Sequence, residues 1–298
     1  MPERSNSTDR PFRFGVGLTT STSRREWIDK CRQAEDYGYD VLGVADHLGM
    51  PAPFPALVLA AEVTSRPRLA TALSNAGFYN PALLARDAAT TDQLTDGRLE
   101  LGVGTGYMKS EFDSAGLRWL TPGQRVDHLE HTAHELRRLF SDGGYRPRPA
   151  QDGGPPLWLG GRGDRTLAIA ARYADIIGFT GFASGQDGTT GYLDTADHIA
   201  ERIAYTRALL GDRAAEVEFN LLIWRVSITT DRRAEARRLE PLRSLAAQHL
   251  LQVPTVLLGT PSQIAEQLRE HREALGITYL TVAEYNMHSL APVIELLT

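Results

Sequence analysis

Residues 97–112 read GRLELGVGTGYMKSEF, and the glycines inside them decide between two folds. In a dinucleotide-binding fold, such glycines follow a strand, open a helix directly and precede an acidic residue about 20 positions on. Residues 98–104 alternate polar and apolar side chains, which predicts the strand. Residues 107–120 contain Gly116 and show no 3.6-residue period, so no helix is predicted directly after the glycines. The stretch therefore argues against a dinucleotide loop.

Strand-like and helix-like runs alternate along the rest of the chain. The runs that predict strands are 12–20, 40–48, 68–75, 98–104, 155–161, 174–180, 216–228 and 277–284. Amphipathic runs between them predict helices, and Gly38 and Gly276 suit left-handed helix ends. Eight such units in a chain of 298 residues favour a closed barrel over a doubly wound sheet. We therefore predict an α/β fold, a single (β/α)8 TIM barrel with insertions formed by residues 12–298, after a flexible tail of residues 1–11.

Composition and charge limit the classes of partner. Hydrophobic residues make up 42% of the chain, and the formal net charge is −5. A net negative charge argues against general electrostatic binding of nucleic acid or of an anionic membrane. No apolar run reaches the roughly 18 residues of a membrane span, and the polar first residues lack the apolar core of a signal peptide. We therefore expect a cytoplasmic protein that acts on small molecules, with no nucleic-acid or membrane partner.

The C-terminal ends of the strands are where a barrel builds its site, so polar residues there are the candidates for chemistry. Asp46 and His47 stand out because they directly follow an apolar strand. A histidine in that place donates or accepts a proton near neutral pH. The alternative is a structural pair that caps the next loop, and the position in the barrel favours chemistry. The other polar residues at strand ends are Thr19, Thr20, Ser74, Asn75, Thr105, Thr180 and Glu284.

A second candidate is the turn GGRG, residues 160–163, between a predicted strand and a predicted helix. With Arg162 and Arg165, such a turn offers a phosphate backbone N–H groups, a helix N-terminus and guanidinium groups. A tight turn with solvated arginines is the alternative interpretation. The turn also follows the fifth strand, whereas the commonest phosphate site of a barrel follows the seventh and eighth.

Three further patterns bear on function. Residues 181–192 follow the sixth strand and are rich in Gly, Ser and Thr, which predicts a mobile substrate lid. His128, His131 and His134 recur on one predicted outer helix but form no H-E-x-x-H motif, so we expect no metal site. Cys31 lies in an amphipathic pattern that is typical of a core thiol.

Several aromatic side chains are candidates to line an apolar pocket for a ring or conjugated substrate, and packing in the core is the alternative for each. They are Phe54, Phe78, Tyr79, Tyr107, Phe112, Trp119 and Phe182.

Over about residues 12–285 the chain resembles the luciferase-like monooxygenase superfamily of flavin and deazaflavin oxidoreductases. The resemblance is carried by VADHL (44–48), NPALLARDAATTDQLTDGRLELGVGTGYMKSEF (80–112) and PPLWLGGRGDRTLAIAARYADIIGF (155–179). It implies that GVGTG ends the fourth barrel strand and forms a wall beside the tricyclic ring and ribityl chain of a cofactor. No dinucleotide is then involved.

The resemblance also implies roles for individual residues. Asp46 and His47 correspond to an acidic–histidine pair at the ring edge, with His47 near the hydride-carrying carbon. Many members hold a non-proline cis peptide against the ring, which we expect between Thr71 and Leu73. The cofactor-binding residues implied are Thr71, Ala72, Ser74, Asn75, Gly104, Thr105, Gly106 and Tyr107 beside the ring and ribityl chain, and Gly160, Gly161, Arg162 and Gly163 at the phosphate.

Within the superfamily the chain looks most like the deazaflavin branch, which uses coenzyme F-420. The Asp46–His47 pair, the stretch NPALLARD (80–87) and the scarcity of lysine, typical of GC-rich genomes, favour this branch. FMN stays an alternative because both cofactors have a tricyclic ring, a ribityl chain and a phosphate. We predict an F-420-dependent oxidoreductase that transfers a hydride to or from a small organic substrate. The alternatives are an FMN-dependent monooxygenase that uses molecular oxygen and a non-catalytic cofactor-binding barrel. Family members are commonly homodimers, so a homodimer is expected.

Overall fold

The computed structural model describes residues 10–184, 191–243 and 246–298. The strands are β1 (Arg13–Leu18), β2 (Val41–Val44), β3 (Arg68–Thr71), β4 (Ser74–Asn75), β5 (Leu99–Gly104), β6 (Leu157–Gly160), β7 (Ile176–Phe179), β8 (Phe182–Ser184), β9 (Gly191–Leu193), β10 (Glu218–Ile223), β11 (Arg225–Ile228), β12 (Val256–Gly259) and β13 (Tyr279–Ala283). The helices are α1 (Arg24–Asp36), α2 (Pro53–Val63), α3 (Pro81–Leu94), α4 (Lys109–Ser114), α5 (Pro122–Ser141), α6 (Asp164–Tyr173), α7 (Ala196–Leu210), α8 (Arg232–Arg243), α9 (Ala247–Leu250), α10 (Pro261–Leu275) and α11 (Met287–Ile294).

A closed parallel barrel is the centre of the molecule. Its strands are hydrogen-bonded in the order β3-β2-β1-β13-β10-β7-β6-β5, and pairing of β3 with β5 closes the ring. The short strand β4 continues β3 beyond residues 72–73 and pairs with the end of β5. Strands buried on both faces read as continuous apolar runs, and β2 is buried at all of its positions. The predicted eight-stranded (β/α)8 barrel is confirmed.

Several elements differ from the sequence prediction. The run 216–228, predicted as one strand, forms β10 in the barrel and β11 outside it. Strand β11 pairs in parallel with β12, which the sequence prediction lacks. Strand β12 is four residues long and fully buried, so it shows no alternation by which to recognise it. Helix α4 forms where no helix is predicted, because its six residues are too few to show a helical period.

The N-terminal end of the barrel is closed by a cluster of charged side chains. Arg13 Nη2 and Arg68 Nε each lie 2.6 Å from Glu100 Oε1, and Arg13 also pairs with Glu218. Glu100 is 1% exposed, so its charge depends on these guanidinium groups for compensation. The cluster fills the end of the barrel opposite the candidate site and leaves the C-terminal end for ligands.

Two predictions fall partly on residues outside the described ranges. Residues 1–9 of the predicted tail lie there, so the division of the chain at residue 11 stays a prediction. Residues 185–190 of the predicted lid also lie there, and on either side of them β8 and β9 pair antiparallel. Cys31 is buried, which confirms the predicted core thiol. Among the helices of the described residues, none has the length and apolar character needed to cross a membrane.

Candidate active site

Asp46 is held by residues that follow the next strand of the barrel. The backbone N–H of Asn75 donates a hydrogen bond to Asp46 Oδ2 at 2.9 Å, and the hydroxyl of Tyr79 hydrogen-bonds the same carboxyl group. Burial raises the pKa of Asp46, and these two hydrogen bonds oppose the rise. The ring of Phe54 packs edge-on against Tyr79, with centroids 6.4 Å apart. Asp46 therefore joins the loops that follow β2 and β3.

His47 contacts two residues that follow β5. Its Nδ1 atom lies 2.8 Å from Oε1 of Glu111, whose side chain is 8% exposed against 23% for His47. This contact turns Nδ1 towards the protein and presents Nε2 as the nitrogen for a ligand. Tyr107 packs edge-on against the imidazole, with ring centroids 5.6 Å apart. The site thus contains an oriented imidazole that can exchange a proton through Nε2.

Glu111 is a site residue that the sequence prediction misses, and Tyr79 was predicted only as a pocket aromatic and not as a partner of Asp46. Glu111 lies on α4, a helix too short to recognise by its period, and Tyr79 follows a 3-10 turn, Ala76–Phe78. One signal for Glu111 was present in the sequence: it is an acidic residue five positions after Gly106, on the active-site side of the predicted barrel.

The glycines of GVGTG make room for the chain between β3 and β4. The peptide bond between Ala72 and Leu73 is cis, as expected for this segment. A Cβ atom on Gly102 would lie 2.0 Å from the carbonyl oxygen of Thr71, and one on Gly160 would lie 2.8 Å from Cδ1 of Leu73. A side chain at Gly102 would therefore displace the backbone of this segment, whereas one at Gly160 would require the end of the Leu73 side chain to move.

Gly106 is required by backbone conformation as well as by space. Its φ angle is +70°, which side chains rarely adopt, and a Cβ atom there would lie 2.3 Å from Oδ1 of Asn75. The same Oδ1 accepts a hydrogen bond from the N–H of Gly77 at 3.1 Å. Because the backbone of Asn75 holds Asp46, Gly106 packs directly against the loop that positions Asp46.

The structure brings the residues implied for the ring side together at the ends of β3, β4 and β5. Thr71 does not offer its hydroxyl to a ligand, because Oγ1 donates to Gly102 O at 2.7 Å and accepts from Gly102 N–H at 2.8 Å. The Oγ atom of Ser74 is buried, and within the described part of the chain it has no hydrogen-bond partner. Gly104 and Thr105 are partly exposed, and Tyr107 is 50% exposed.

The turn 160–163 leads into α6 in the way a phosphate site requires. Gly163 precedes α6 without a side-chain cap, and no atom lies within 4 Å of a Cβ built there. Arg162 is paired with Asp194, since its Nη2 lies 2.7 Å from Oδ1 and its Nε lies 3.0 Å from Oδ2. Arg165 is paired with Asp127. The turn therefore offers an anion the N–H groups of the helix start rather than an unpaired guanidinium group.

Glu284 serves as a structural clamp at the same end of the barrel. It accepts hydrogen bonds from the backbone N–H groups of Thr19 and Thr20 at 2.8 and 3.1 Å, and its Oε1 lies 2.6 Å from Lys30 Nζ. Burial raises the pKa of Glu284, but the hydrogen bonds from these residues outweigh burial and lower the pKa overall. This carboxylate joins β1 to β13 and has no capacity left for a substrate.

The aromatic candidates divide into packing residues and exposed ones. Phe112 is 2% exposed and packs against Phe78 and Trp119, with ring centroids 5.2 and 4.9 Å away. Tyr107, beside His47, is 50% exposed.

Of the three histidines on α5, His128 has its Nε2 atom 3.0 Å from the carbonyl oxygen of Ala76.

Comparisons with known proteins give both deazaflavin and flavin enzymes. A 5,10-methylenetetrahydromethanopterin reductase of Archaeoglobus fulgidus is 26% identical over 179 residues, 56% of this chain and 52% of the reductase. An F-420-dependent glucose-6-phosphate dehydrogenase of Intrasporangium calvum is 26% identical over 296 residues, 87% of this chain and 88% of the dehydrogenase. An FMNH2-dependent dimethylsulfone monooxygenase of Pseudomonas fluorescens is 26% identical over 230 residues, 64% of this chain and 62% of the monooxygenase. The chain therefore spans only about half of the length of the reductase.

Solved structures show the same fold. An F-420-dependent secondary alcohol dehydrogenase, in complex with an F-420–acetone adduct, matches with a TM-score of 0.71 and 17% identity, over 97% of this chain and 100% of that one. The family model described as luciferase-like monooxygenase matches residues 10–279. The chain belongs to the luciferase-like monooxygenase family.

Proposed function

We propose that this protein is an oxidoreductase that binds coenzyme F-420 and transfers a hydride between the deazaflavin and a small organic substrate. The hydrogen bond between His47 and Glu111 carries the proposal. Hydride transfer to or from a carbon–oxygen or carbon–nitrogen bond also moves a proton, and an oriented imidazole supplies or takes up that proton. The similarity to the F-420-dependent dehydrogenase also extends over 88% of that enzyme, against 62% of the FMNH2-dependent monooxygenase.

The residues at this end of the barrel fit such a cofactor. Ser74 has a buried hydroxyl without a partner in the described ranges, as expected of a group that bonds a ligand. Gly163 and the uncapped start of α6 form an open turn that would hold the phosphate. Gly104 and Thr105 would line the ring and ribityl chain. When bound, the deazaflavin supplies the two-electron chemistry.

The protein's own residues have three tasks in this proposal. His47 holds or accepts the proton at Nε2, while Glu111 keeps the imidazole turned so that Nε2 meets the substrate. Asp46 keeps the loop of His47 attached to the loop of Asn75. The glycines of β5 make room for the segment between β3 and β4, which would lie against the ring.

Two measurements test the proposal. Purified apo-protein is titrated in parallel with F-420 and with FMN, and the fluorescence of each cofactor is followed. Tight binding of F-420 and weak binding of FMN are expected; tight binding of FMN alone would contradict the proposal. His47→Ala should lower turnover by about 10²- to 10⁴-fold and leave F-420 affinity unchanged. Wild-type turnover in this variant would remove His47 from the mechanism.

A second candidate function is an FMN-dependent monooxygenase, favoured by the similarity to the FMNH2-dependent dimethylsulfone enzyme. Consumption of molecular oxygen during turnover separates it from a hydride-transferring F-420 enzyme. A cofactor-binding barrel without catalysis is a third candidate, and it would bind F-420 tightly while exchanging no hydride with any substrate tried.

We also propose that the protein forms a homodimer and acts in the cytoplasm. Leu83 and Leu94 on α3 are 51% and 62% exposed, and they lie about three helical turns apart and so on one face. Arg86 and Thr90 lie between them on this face, so the two leucines are separate apolar contacts that a second copy would cover. Sedimentation of the wild type and of a Leu83→Glu/Leu94→Glu double variant tests this. A monomeric wild type would contradict it.

A further inference from the structure

Large apolar side chains are exposed around the candidate catalytic histidine. Leu48, Met50, Tyr107 and Leu117 are 50%, 38%, 50% and 40% exposed. All lie in the loops that follow β2 and β5, and the contacts of His47 with Glu111 and Tyr107 hold these two loops together. Single exposed apolar residues are ordinary on a protein surface, but a group of them at a binding site indicates a ligand with apolar surface.

The chain geometry places Leu48, Met50 and Tyr107 next to the imidazole, and Leu117 lies six positions after Glu111, with its N–H bonded to the carbonyl oxygen of Phe112. The N–H of Met50 donates to the carbonyl oxygen of His47 at 3.1 Å, which closes a turn of residues 47–50. Gly49 has a φ angle of +94°, the left-handed conformation that the third position of a type II turn needs. The turn presents Leu48 and Met50 directly after His47. The exposed ring of Tyr107 also packs edge-on against the imidazole of His47.

Three basic side chains at the same end of the barrel are paired with carboxylates. Lys109 Nζ lies 2.6 Å from Asp113 Oδ2, and Arg162 Nη2 lies 2.7 Å from Asp194 Oδ1. Lys30 lies 2.6 Å from Glu284. A phosphorylated or carboxylated substrate would have to compete with these carboxylates for the cations. These three cations are therefore less available to a charged substrate than unpaired ones would be.

We propose that the substrate is an uncharged organic molecule with a hydrocarbon chain or ring beside the reacting carbon, and that Leu48, Met50, Tyr107 and Leu117 bind this hydrocarbon part. The inference rests on the proposed function and names its substrate class. Binding removes apolar surface of both partners from water and leaves the reacting carbon at His47. The proposed substrate class also differs from a sugar phosphate such as glucose 6-phosphate, which is the substrate in the name of one relative.

The test compares two probes on F-420-loaded protein by calorimetry, n-octanol and glucose 6-phosphate. Octanol is expected to bind and the sugar phosphate is not. The double variant Leu48→Ser/Leu117→Ser should bind octanol about tenfold or more weakly, because it removes two apolar contacts. Leu209→Ser is the matched control, since Leu209 is 43% exposed on the outer helix α7, and it should bind octanol like the wild type. Binding of the sugar phosphate alone, or equal octanol affinity in all three proteins, would overturn the inference.

Failure of the proposed function gives a different result. The F-420 affinity of each protein is measured first by fluorescence, and the octanol titration is also made on apo-protein. A wild type that does not bind F-420 but binds octanol through Leu48 and Leu117 would contradict the cofactor assignment and leave the apolar substrate site standing. Normal F-420 binding without octanol binding would support the cofactor assignment and contradict the apolar substrate site.

Discussion

His47 and Glu111 lie 64 positions apart in the chain, yet Nδ1 of one is 2.8 Å from Oε1 of the other. The loop that follows β2 thereby meets helix α4 after β5 at one hydrogen bond. Because Glu111 is 7% exposed, water does not compete well for this carboxylate. Glu111 is in our interpretation a positioning residue, which acts on the substrate only through the orientation of His47.

Glu111→Ala should lower turnover by about 10²-fold, because the imidazole loses its orientation. Glu111→Gln should recover part of this loss, since an amide oxygen still accepts from Nδ1–H. The affinity for F-420 should stay unchanged in both variants. Glu130→Ala on α5 is the control, because Glu130 pairs with Arg172 away from the site. Wild-type turnover in Glu111→Ala would show that the contact has no part in the chemistry.

Alanine at Gly106 should mainly lower stability, whereas alanine at Gly163 should mainly weaken F-420 binding. Gly106→Ala should lower the free energy of unfolding by about 1–3 kcal/mol, since its Cβ would clash with Asn75 and its φ angle is positive. Gly163→Ala should lower the free energy of unfolding by less, because φ is −79° and the space is open and only the poorer N-cap preference of alanine acts. It should weaken F-420 binding by filling the phosphate turn. Urea unfolding and fluorescence titration measure the two effects, and unchanged F-420 affinity in Gly163→Ala would contradict the assignment of Gly163 to a ligand.

The clamp of Glu284 should make a contribution to stability that depends on pH. Its pKa in the folded protein is lower than the ordinary value of 4.5, so the ionised form favours folding. This contribution is complete above about pH 4.5 and is lost as the pH falls through the folded pKa. Glu284→Gln should therefore be less stable than the wild type at pH 7, and the difference should shrink below about pH 4.5. Urea unfolding across this range tests it, and a constant difference would contradict it.

His271 on α10 should make the protein less stable as the pH falls, whereas an ion-paired histidine would make it more stable. Burial lowers its pKa from 6.5 to about 4, so the unfolded chain takes up the proton first as the pH falls. The wild type should lose stability between about pH 6.5 and pH 4, and His271→Gln should lose less. The control is His134→Gln, because the side chain of His134 is 57% exposed. Parallel curves for the wild type and His271→Gln would show that His271 is not buried as a neutral group.

The barrel was predictable from sequence because each strand reads as a short apolar run, as in β2, or as an alternating run, as at residues 98–104, and helical patterns separate these runs. Asp46 and His47 were predictable as candidates for a related reason: they directly follow such a run, and the ends of parallel strands meet at one rim. Neither inference needs a contact between distant parts of the chain.

The partners of these residues were not predictable in the same way. Glu111 contacts His47 from a helix of six residues, which shows no period. Arg162 was predicted to meet a phosphate, and only the folded chain brings Asp194 to its guanidinium group. The glycines were visible as a pattern, but the Thr71 carbonyl that explains Gly102 comes from another strand. The sequence of one segment predicts the secondary structure of that segment, whereas these contacts depend on how distant segments are aligned in the fold.

Strands β11 and β12 pair outside the barrel, with Arg225 opposite Val256 and Ile228 opposite Gly259. Because the pair is parallel, the chain leaves it at Ile228 and returns at Val256, which lies at the other end, so the connecting segment with α8 and α9 runs back along the pair. Ala236, Leu239, Leu250 and Val253 of this segment are buried in the core, so the segment is an integral part of the fold. A module grafted in its place would have to span the length of the strand pair and cover the same apolar surface.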